Sequence, residues 1–487
     1  MCDRERGWSE VPSIKTWQLI AGSAVAGLAL SVATVAASGP WDSGQRKAER
    51  DRAASWGRTG GADHGGELLP EAAPSAPGVL GAVGPGAPRK EAAVGAAAAG
   101  GLSAALKPLL ADPALGTVRT ASVVDTATGE VLYEAGARDA MTPASTIKIV
   151  TAAAALAALG PEHRIRTTVV PGAAPGQIVL VGGGDPSLTA KKKSPAGSGG
   201  SLVALAADTA QALKAAGTDS VTLAYDDSLY TGPARHPIGV NPNIALVTAL
   251  TADEGRPDDS TSGPVARTDD PSGDAARAFA ALLAERGIKV TGDPARAKAA
   301  AGAQPLATTL STPMAGLVER MLTNSDNDIA EALARQTALA SGQPASFEGA
   351  EKAVTDRLTA LGVDVTGSRF ADGSGLGRAD KVSAGLLTAL LAKAADPQRP
   401  ELRPVLTGLP VAGFTGTLRA RNSGGSPAAG LLRAKTGTLS GVNSLAGTVV
   451  DPSGRLLAFA FLTANSADGP AAEKGLDKLA AAVATAP

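Results

Sequence analysis

Residues 142–156, TPASTIKIVTAAAAL, decide how this chain is read. Pro143 suits the first turn of a helix, where its missing N–H costs nothing. Ile147, Val150 and Ala154 then recur along one helical face, and Gly160-Pro161 ends the run. In that register Ser145 and Lys148, three residues apart, share a face at neighbouring distance. A lysine withdrawn from water there can lose its proton and act as base for the serine hydroxyl. Alone the pair decides little, because a serine three residues before a lysine also describes an ordinary polar helix face.

Working outward, residues 118–124 and 130–134 read as an antiparallel hairpin turned by Thr128-Gly129, and folded structure is expected from about Leu102. Thr312-Pro313 opens another helix, whose Met314, Leu317, Val318, Met321 and Leu322 follow the spacing of a buried stripe and which ends at Asn324; a further helix begins near Asp328. The chain closes on strands at 431–435, 442–450 and 456–464, the last two joined by a DPSG turn, and on a helix over 471–484. Strands at both ends with helices between them predict an α+β fold, an α/β sandwich whose antiparallel sheet is assembled from distant segments and flanked by helices, with an all-helical lobe. Residues 166–266, rich in Gly and Pro with short strand-like runs at 177–181 and 220–225, read as an inserted β-rich subdomain within a catalytic domain of 101–165 and 267–487.

The first hundred residues are of another kind. Residues 17–37, WQLIAGSAVAGLALSVATVAA, carry no charge and can just cross a hydrocarbon core of about 30 Å, as a transmembrane anchor or as a signal peptide, with the anchor favoured. Residues 1–16 would then be cytoplasmic, and the chain beyond the span extracytoplasmic in either case. Residues 38–100 mix Gly, Pro, Ala and charge without apolar periodicity, which predicts a disordered linker.

Bulk composition excludes several classes. The 45 Lys and Arg nearly cancel the 46 Asp and Glu, so no global basic field gathers nucleic acid. The single cysteine, Cys2, gives no disulfide framework. His64, His163 and His236 lack metal-ligand spacing, so no metal or cofactor is expected and the usual general base is not at hand.

Two further motifs follow Ser145-Thr146-Ile147-Lys148 in order: Ser325-Asp326-Asn327, in the break between two predicted helices, and Lys435-Thr436-Gly437, heading a turn out of a strand. Taken singly these are equally a helix end with an Asx-type cap and an exposed turn. Together they are the signature of β-lactamases and penicillin-binding proteins. The blocks TPASTIKIVTAAAAL, MLTNSDNDIAEALAR and AKTGTLSGVNSLAGTV, with GGGDPSL (182–188) and ADGSGLGRAD (371–380), resemble the D-Ala-D-Ala carboxypeptidase/endopeptidase family of class C penicillin-binding proteins from about Leu102 to the C-terminus. The insert looks shorter than in the best-known members.

The resemblance implies a serine peptidase that hydrolyses peptidoglycan stem peptides ending in D-Ala-D-Ala and is acylated by β-lactams. It implies that Ser145 attacks the carbonyl between the two D-alanines and Lys148 accepts its proton. Ser325 would relay a proton to the leaving amine, in the positive field of Lys435. Asn327 would orient the substrate backbone, Thr436 and Thr438 would meet the terminal carboxylate in the Lys435-Thr436-Gly437 turn, and the Ser145 and Thr438 amides would form the oxyanion hole. A serine β-lactamase, or a non-catalytic module that binds wall peptides or β-lactams, are the alternatives. The first would need a carboxylate to activate the deacylating water; the second need not retain both lysines.

Overall fold

The computed structural model describes residues 91–192 and 199–486, with side chains from residue 100 onward. In chain order α1 (Glu91–Leu110) leads into the hairpin β1 (Val118–Asp125) and β2 (Val131–Ala135), then a 3₁₀ turn (Ala144–Ile147) that runs into α2 (Lys148–Leu159). A second region contains β3 (Arg166–Pro171), β4 (Gln177–Val181), α3 (Leu202–Ala215), β5 (Ser220–Asp226), α4 (Pro271–Ala284) and the short strands β6 (Lys289–Val290), β7 (Ala295–Arg296) and β8 (Ala307–Leu310). The helices α5 (Met314–Asn324), α6 (Asn327–Ala340), α7 (Phe347–Ala360), α8 (Ala384–Ala395) and α9 (Arg403–Thr407) come next. The chain then returns through β9 (Leu432–Leu439), β10 (Val442–Val450), β11 (Leu456–Ala464) and α10 (Gly469–Thr485).

The main sheet has the order β2-β1-β11-β10-β9, antiparallel throughout, so the two chain ends meet at its centre where β1 pairs with β11. The period of two along β11 sorts its side chains. Leu457, Phe459 and Phe461 enter one core with Leu476, Leu479 and Val483 of α10 and Leu106 of α1. Ala458, Ala460 and Leu462 enter the other with Ile149 and Ala153 of α2 and Leu387 and Leu391 of α8. The small residues on this second face let two helices approach, while the Phe pair fills the first; truncating Phe459 to alanine would cost about 3–5 kcal/mol.

Two boundaries differ from expectation. The helix α1 starts at Glu91, inside the stretch 38–100 read as linker, because Leu102 and Leu106 give it a face to bury against α10 and the sheet. The insert does not stop at 266: its six strands run β6-β5-β4-β3-β8, with β7 on β5, and β8 at 307–310 pairs antiparallel with β3. Nor is it simply β-rich. The pairs β4–β5 and β5–β6 are parallel and need crossovers, which α3 and α4 supply while covering the sheet with Leu202, Leu205, Phe279 and Leu283. No helix among the described residues is long and apolar enough to cross a membrane. The span expected at 17–37, and most of the expected linker, lie outside the described residues.

Candidate active site

The nucleophile motif does not begin as an α-helix. Ala144 holds a left-handed φ of 48°, a conformation that costs a non-glycine residue on the order of 1–3 kcal/mol, and Ser145 follows on the 3₁₀ turn that α2 continues. The Pro143 carbonyl holds this turn together and ties it to the sheet: Thr146 Oγ1 donates to it at 2.8 Å from within the turn, and Ser444 Oγ of β10 donates to the same oxygen at 2.6 Å. Gly437 on β9, the cross-strand partner of Ser444, packs against the same turn, where only a residue without Cβ lets the strand approach the Pro143 carbonyl and the Ser145 nitrogen.

Lys148, at the first position of α2, is fully buried, and its amine donates to three acceptors. These are Ser145 Oγ at 3.1 Å, Asn327 Oδ1 at 2.7 Å and the Ser374 carbonyl at 2.5 Å. Burial pushes its pKa down to about 8, against the opposing pull of Asp372, Glu331, Asp326 and Asp380. Lys435, also fully buried, is pushed well below the usual lysine range by burial and by the Lys148 and Arg421 charges. Its amine donates to the Thr436 carbonyl at 2.8 Å. Two buried amines that repel one another resist holding two protons at once.

The second motif sits in the break between α5 and α6, as expected. Ser325 terminates α5 in the left-handed region with φ 58° and ψ 40°. Asp326 caps α6 by accepting from Ile329 N, so it is a structural cap. Asn327 bridges two regions, accepting from Lys148 while its Nδ2 donates to the Asn243 carbonyl of the insert at 2.9 Å.

Ser145, Ser325, Asn327 and Thr438 line one cleft of about 460 Å³, whose opposite wall the insert supplies through Ile238, Asn241, Asn243 and Arg267. Of the expected substrate contacts, Thr438 faces this cleft, with its hydroxyl donating to Glu473 Oε1 of α10 at 2.8 Å; the Thr436 hydroxyl pairs with Thr417 at 2.9 Å. Gly437 sits behind the nucleophile as a spacer.

Sequence reading missed four participants: the Ser374 carbonyl, Glu331, His236 and the cleft wall at 238–243. The Asp-Gly-Ser-Gly run at 372–375 was the available signal, since Asp372 accepts from Ser374, Gly375 and Gly377 amides and so builds a tight turn. Two groups of three donors lie close enough to suggest a cation, His236/Glu331/Asp372 and Glu254/Asp326/Asp328. In the second, Glu254 is already paired with Arg256 and Arg320, and Asp328 with Arg267. In the first, Asp372 is engaged by three amides and His236 Nδ1 accepts from Ile238 N at 3.3 Å, which leaves a proton on Nε2 where a metal would need the lone pair.

Comparison with known proteins identifies the family. The model of the D-Ala-D-Ala carboxypeptidase 3 (S13) family matches residues 102–256 and 251–483. The chain is 39% identical over 391 residues to the carboxypeptidase DacB of Mycolicibacterium smegmatis, covering 78% of this chain and 83% of that one. It is 30% identical over 446 residues to the D-alanyl-D-alanine carboxypeptidase of Actinomadura sp. strain R39, covering 74% and 80%. Penicillin-binding protein 4 of Haemophilus influenzae shares the fold, with a TM-score of 0.63 at 23% identity over 79% of this chain and 97% of that one. A clustered serine and lysines on this fold, with both relatives and a family model spanning it, place the chain in the D-Ala-D-Ala carboxypeptidase 3 (S13) family.

Proposed function

We propose that the protein is a serine D-Ala-D-Ala carboxypeptidase that acts on peptidoglycan stem peptides through an acyl-enzyme on Ser145 and is acylated at the same residue by β-lactams. The observation that carries this reading is the contact of Ser145 Oγ with the buried Lys148 amine at 3.1 Å, beside a second buried lysine. Because burial pulls the Lys148 amine down to about 8, a neutral amine is available at mildly alkaline pH to take the serine proton.

The serine oxygen then bonds to the carbonyl carbon between the two D-alanines. The oxyanion rests on the Ser145 and Thr438 amides, a kind of contact worth about 3 kcal/mol per donor. The tetrahedral adduct collapses, the C–N bond breaks, and the departing D-alanine amine takes a proton through Ser325. Water, deprotonated by the same lysine, attacks the ester and frees Ser145. A β-lactam enters the same sequence through its strained amide. Since its amine stays tethered to the acyl group, water is kept from the ester and the adduct lasts.

The insert wall at Asn241 and Asn243 offers amide groups to a peptide lying in the cleft, which supports peptidase action. The uncharged run at 17–37 supports delivery of the domain outside the cytoplasm on a membrane anchor. Fractionation of cells tests that placement: the chain should sediment with membranes and be digested by external protease in spheroplasts. For the activity, purified protein is incubated with a fluorescent penicillin and separately with a D-Ala-D-Ala peptide. Stable labelling with D-alanine release is expected, and rapid turnover of the label without D-alanine release would indicate a β-lactamase instead.

A further inference from the structure

The lysine is held by a loop, and the loop is held by charge. Ser374 presents its carbonyl to the Lys148 amine at 2.5 Å, and the Ser145 hydroxyl lies 3.5 Å from the same oxygen. Nothing in a loop fixes a carbonyl direction by itself. Here the amides of Gly373 and Ser374 donate to Glu331 Oε1 of α6 at 3.0 and 2.9 Å, and those of Ser374, Gly375 and Gly377 donate to Asp372. Thr151 of α2 adds a bond to the Gly373 carbonyl at 2.7 Å. Glycines at 373 and 375 let the loop press against the Ala330 and Ala144 carbonyls, where a Cβ would collide.

Both carboxylates lie deep, Glu331 at 0% and Asp372 at 7% exposure, and two unpaired negative charges there would be costly. The group that faces both is His236, itself 2% exposed, whose Nε2 lies 3.2 Å from Asp372 Oδ2 and 3.6 Å from Glu331 Oε1. The Ile238 amide on Nδ1 leaves Nε2 as the ring donor. Arg335, stacked on Phe347 at 3.9 Å, and Lys148 supply the positive charge that these carboxylates face, and His236 supplies a neutral donor. Asp380, whose carboxyl accepts from the Asp372 amide, is pushed up from the usual carboxylate range by burial and by the Asp372 charge.

His236 belongs to the insert, and the segment it begins carries Ile238, Asn241 and Asn243 into the cleft. We propose that His236, Glu331 and Asp372 are positioning residues for the reaction. They hold the Ser374 carbonyl on the catalytic lysine, and through His236 they tie the cleft wall of the insert to that lysine. The idea rests on the reading of Lys148 as base.

The test uses the full chain and the acylation rate with fluorescent penicillin between pH 6 and 10. His236→Leu keeps apolar packing against Phe347 but loses the donor, whereas His236→Gln can place an amide N–H near the position of Nε2. The leucine variant should acylate at least ~10-fold more slowly at every pH, the scale expected for a misplaced reacting group, and the glutamine variant should recover much of that loss. Glu331→Gln keeps an acceptor for the two amides but removes a charge that favours protonated Lys148, so the alkaline rise in rate should begin at lower pH. Melting curves confirm that each variant is folded; should Glu331→Gln not fold, the two His236 variants decide alone. Leucine and glutamine variants that both acylate with the wild-type rate and pH profile would overturn the proposal. Lys148→Met separates the two readings: if it labels normally the base assignment itself is wrong, whereas if it is inert while the His236 variants are normal only the positioning cluster fails.

Discussion

Adding one methyl group at Gly437 probes how the sheet and the nucleophile turn are fitted together. The backbone there is not in a left-handed conformation, so alanine carries no dihedral penalty and the effect is purely steric. Its Cβ would overlap the Ser444 hydroxyl and lie 2.7 Å from the Pro143 carbonyl oxygen and 3.0 Å from the Ser145 nitrogen. Ordinary contact distances require β9 to retreat from the turn by roughly 1 Å, since carbon and oxygen pack at about 3.5 Å. The Ser444–Pro143 bond at 2.6 Å cannot survive unchanged, and the cost in stability should be about 1–3 kcal/mol, the usual penalty for overpacking. The kinetic effect should be larger than the stability effect. Ser145 and the Thr438 amide would separate, and a displacement of that size at a reacting centre costs about 100-fold in rate. Stopped-flow acylation with fluorescent penicillin, alongside thermal melting, reads both. A folded Gly437→Ala protein acylated at the wild-type rate would refute the idea that close approach of β9 builds the site.

Other consequences come from the same geometry. Acylation should rise with pH through about 8, because Lys148 becomes the neutral base only above its lowered pKa, and should fall towards tenfold per pH unit well below it. A rate flat from pH 6 to 9 would contradict that assignment. Glu473→Gln removes a carboxylate bonded to the Thr438 hydroxyl at 2.8 Å, where a substrate carboxylate is expected. The kcat/KM for a peptide with a free C-terminus should increase about three- to tenfold, in line with a surface charge worth about 1 kcal/mol. Asn327→Ala takes partners from both the Lys148 amine and the insert at Asn243, and should lower Tm while cutting acylation by at least ~10-fold, the loss expected when a buried charge-assisted bond is broken.

The legible parts of this protein were those where chemistry or periodicity is local. The strands at 442–450 and 456–464 were read to the residue because buried central strands are continuous apolar runs between a Gly and a DPSG turn. The three motifs were legible because the reaction needs those residue types, and the fold brings Lys148 and Asn327 together across 179 positions. The insert's end was not legible, because it is set by β8 pairing with β3 across some 140 residues, and a four-residue strand such as Ala307–Leu310 carries no periodic signal. Nor was His236. A lone histidine in a loop says nothing until its neighbours in space are known, and Glu331 reads in sequence as one more charged residue on a helix. The nucleophile motif was read as an ordinary helix, whereas it begins on a 3₁₀ turn after the strained Ala144, which no local pattern signals because β9 and β10 pack against that turn from elsewhere in the chain.

The most direct test of the account is mass spectrometry of the intact protein after penicillin treatment, followed by proteolysis to locate the adduct. A single added penicilloyl mass on the peptide bearing Ser145, absent from Ser145→Ala at unchanged Tm, is the predicted result. An adduct on another residue, or one that persists in Ser145→Ala, would contradict the claim that this serine, its lysine partner and the strand behind them form the catalytic centre.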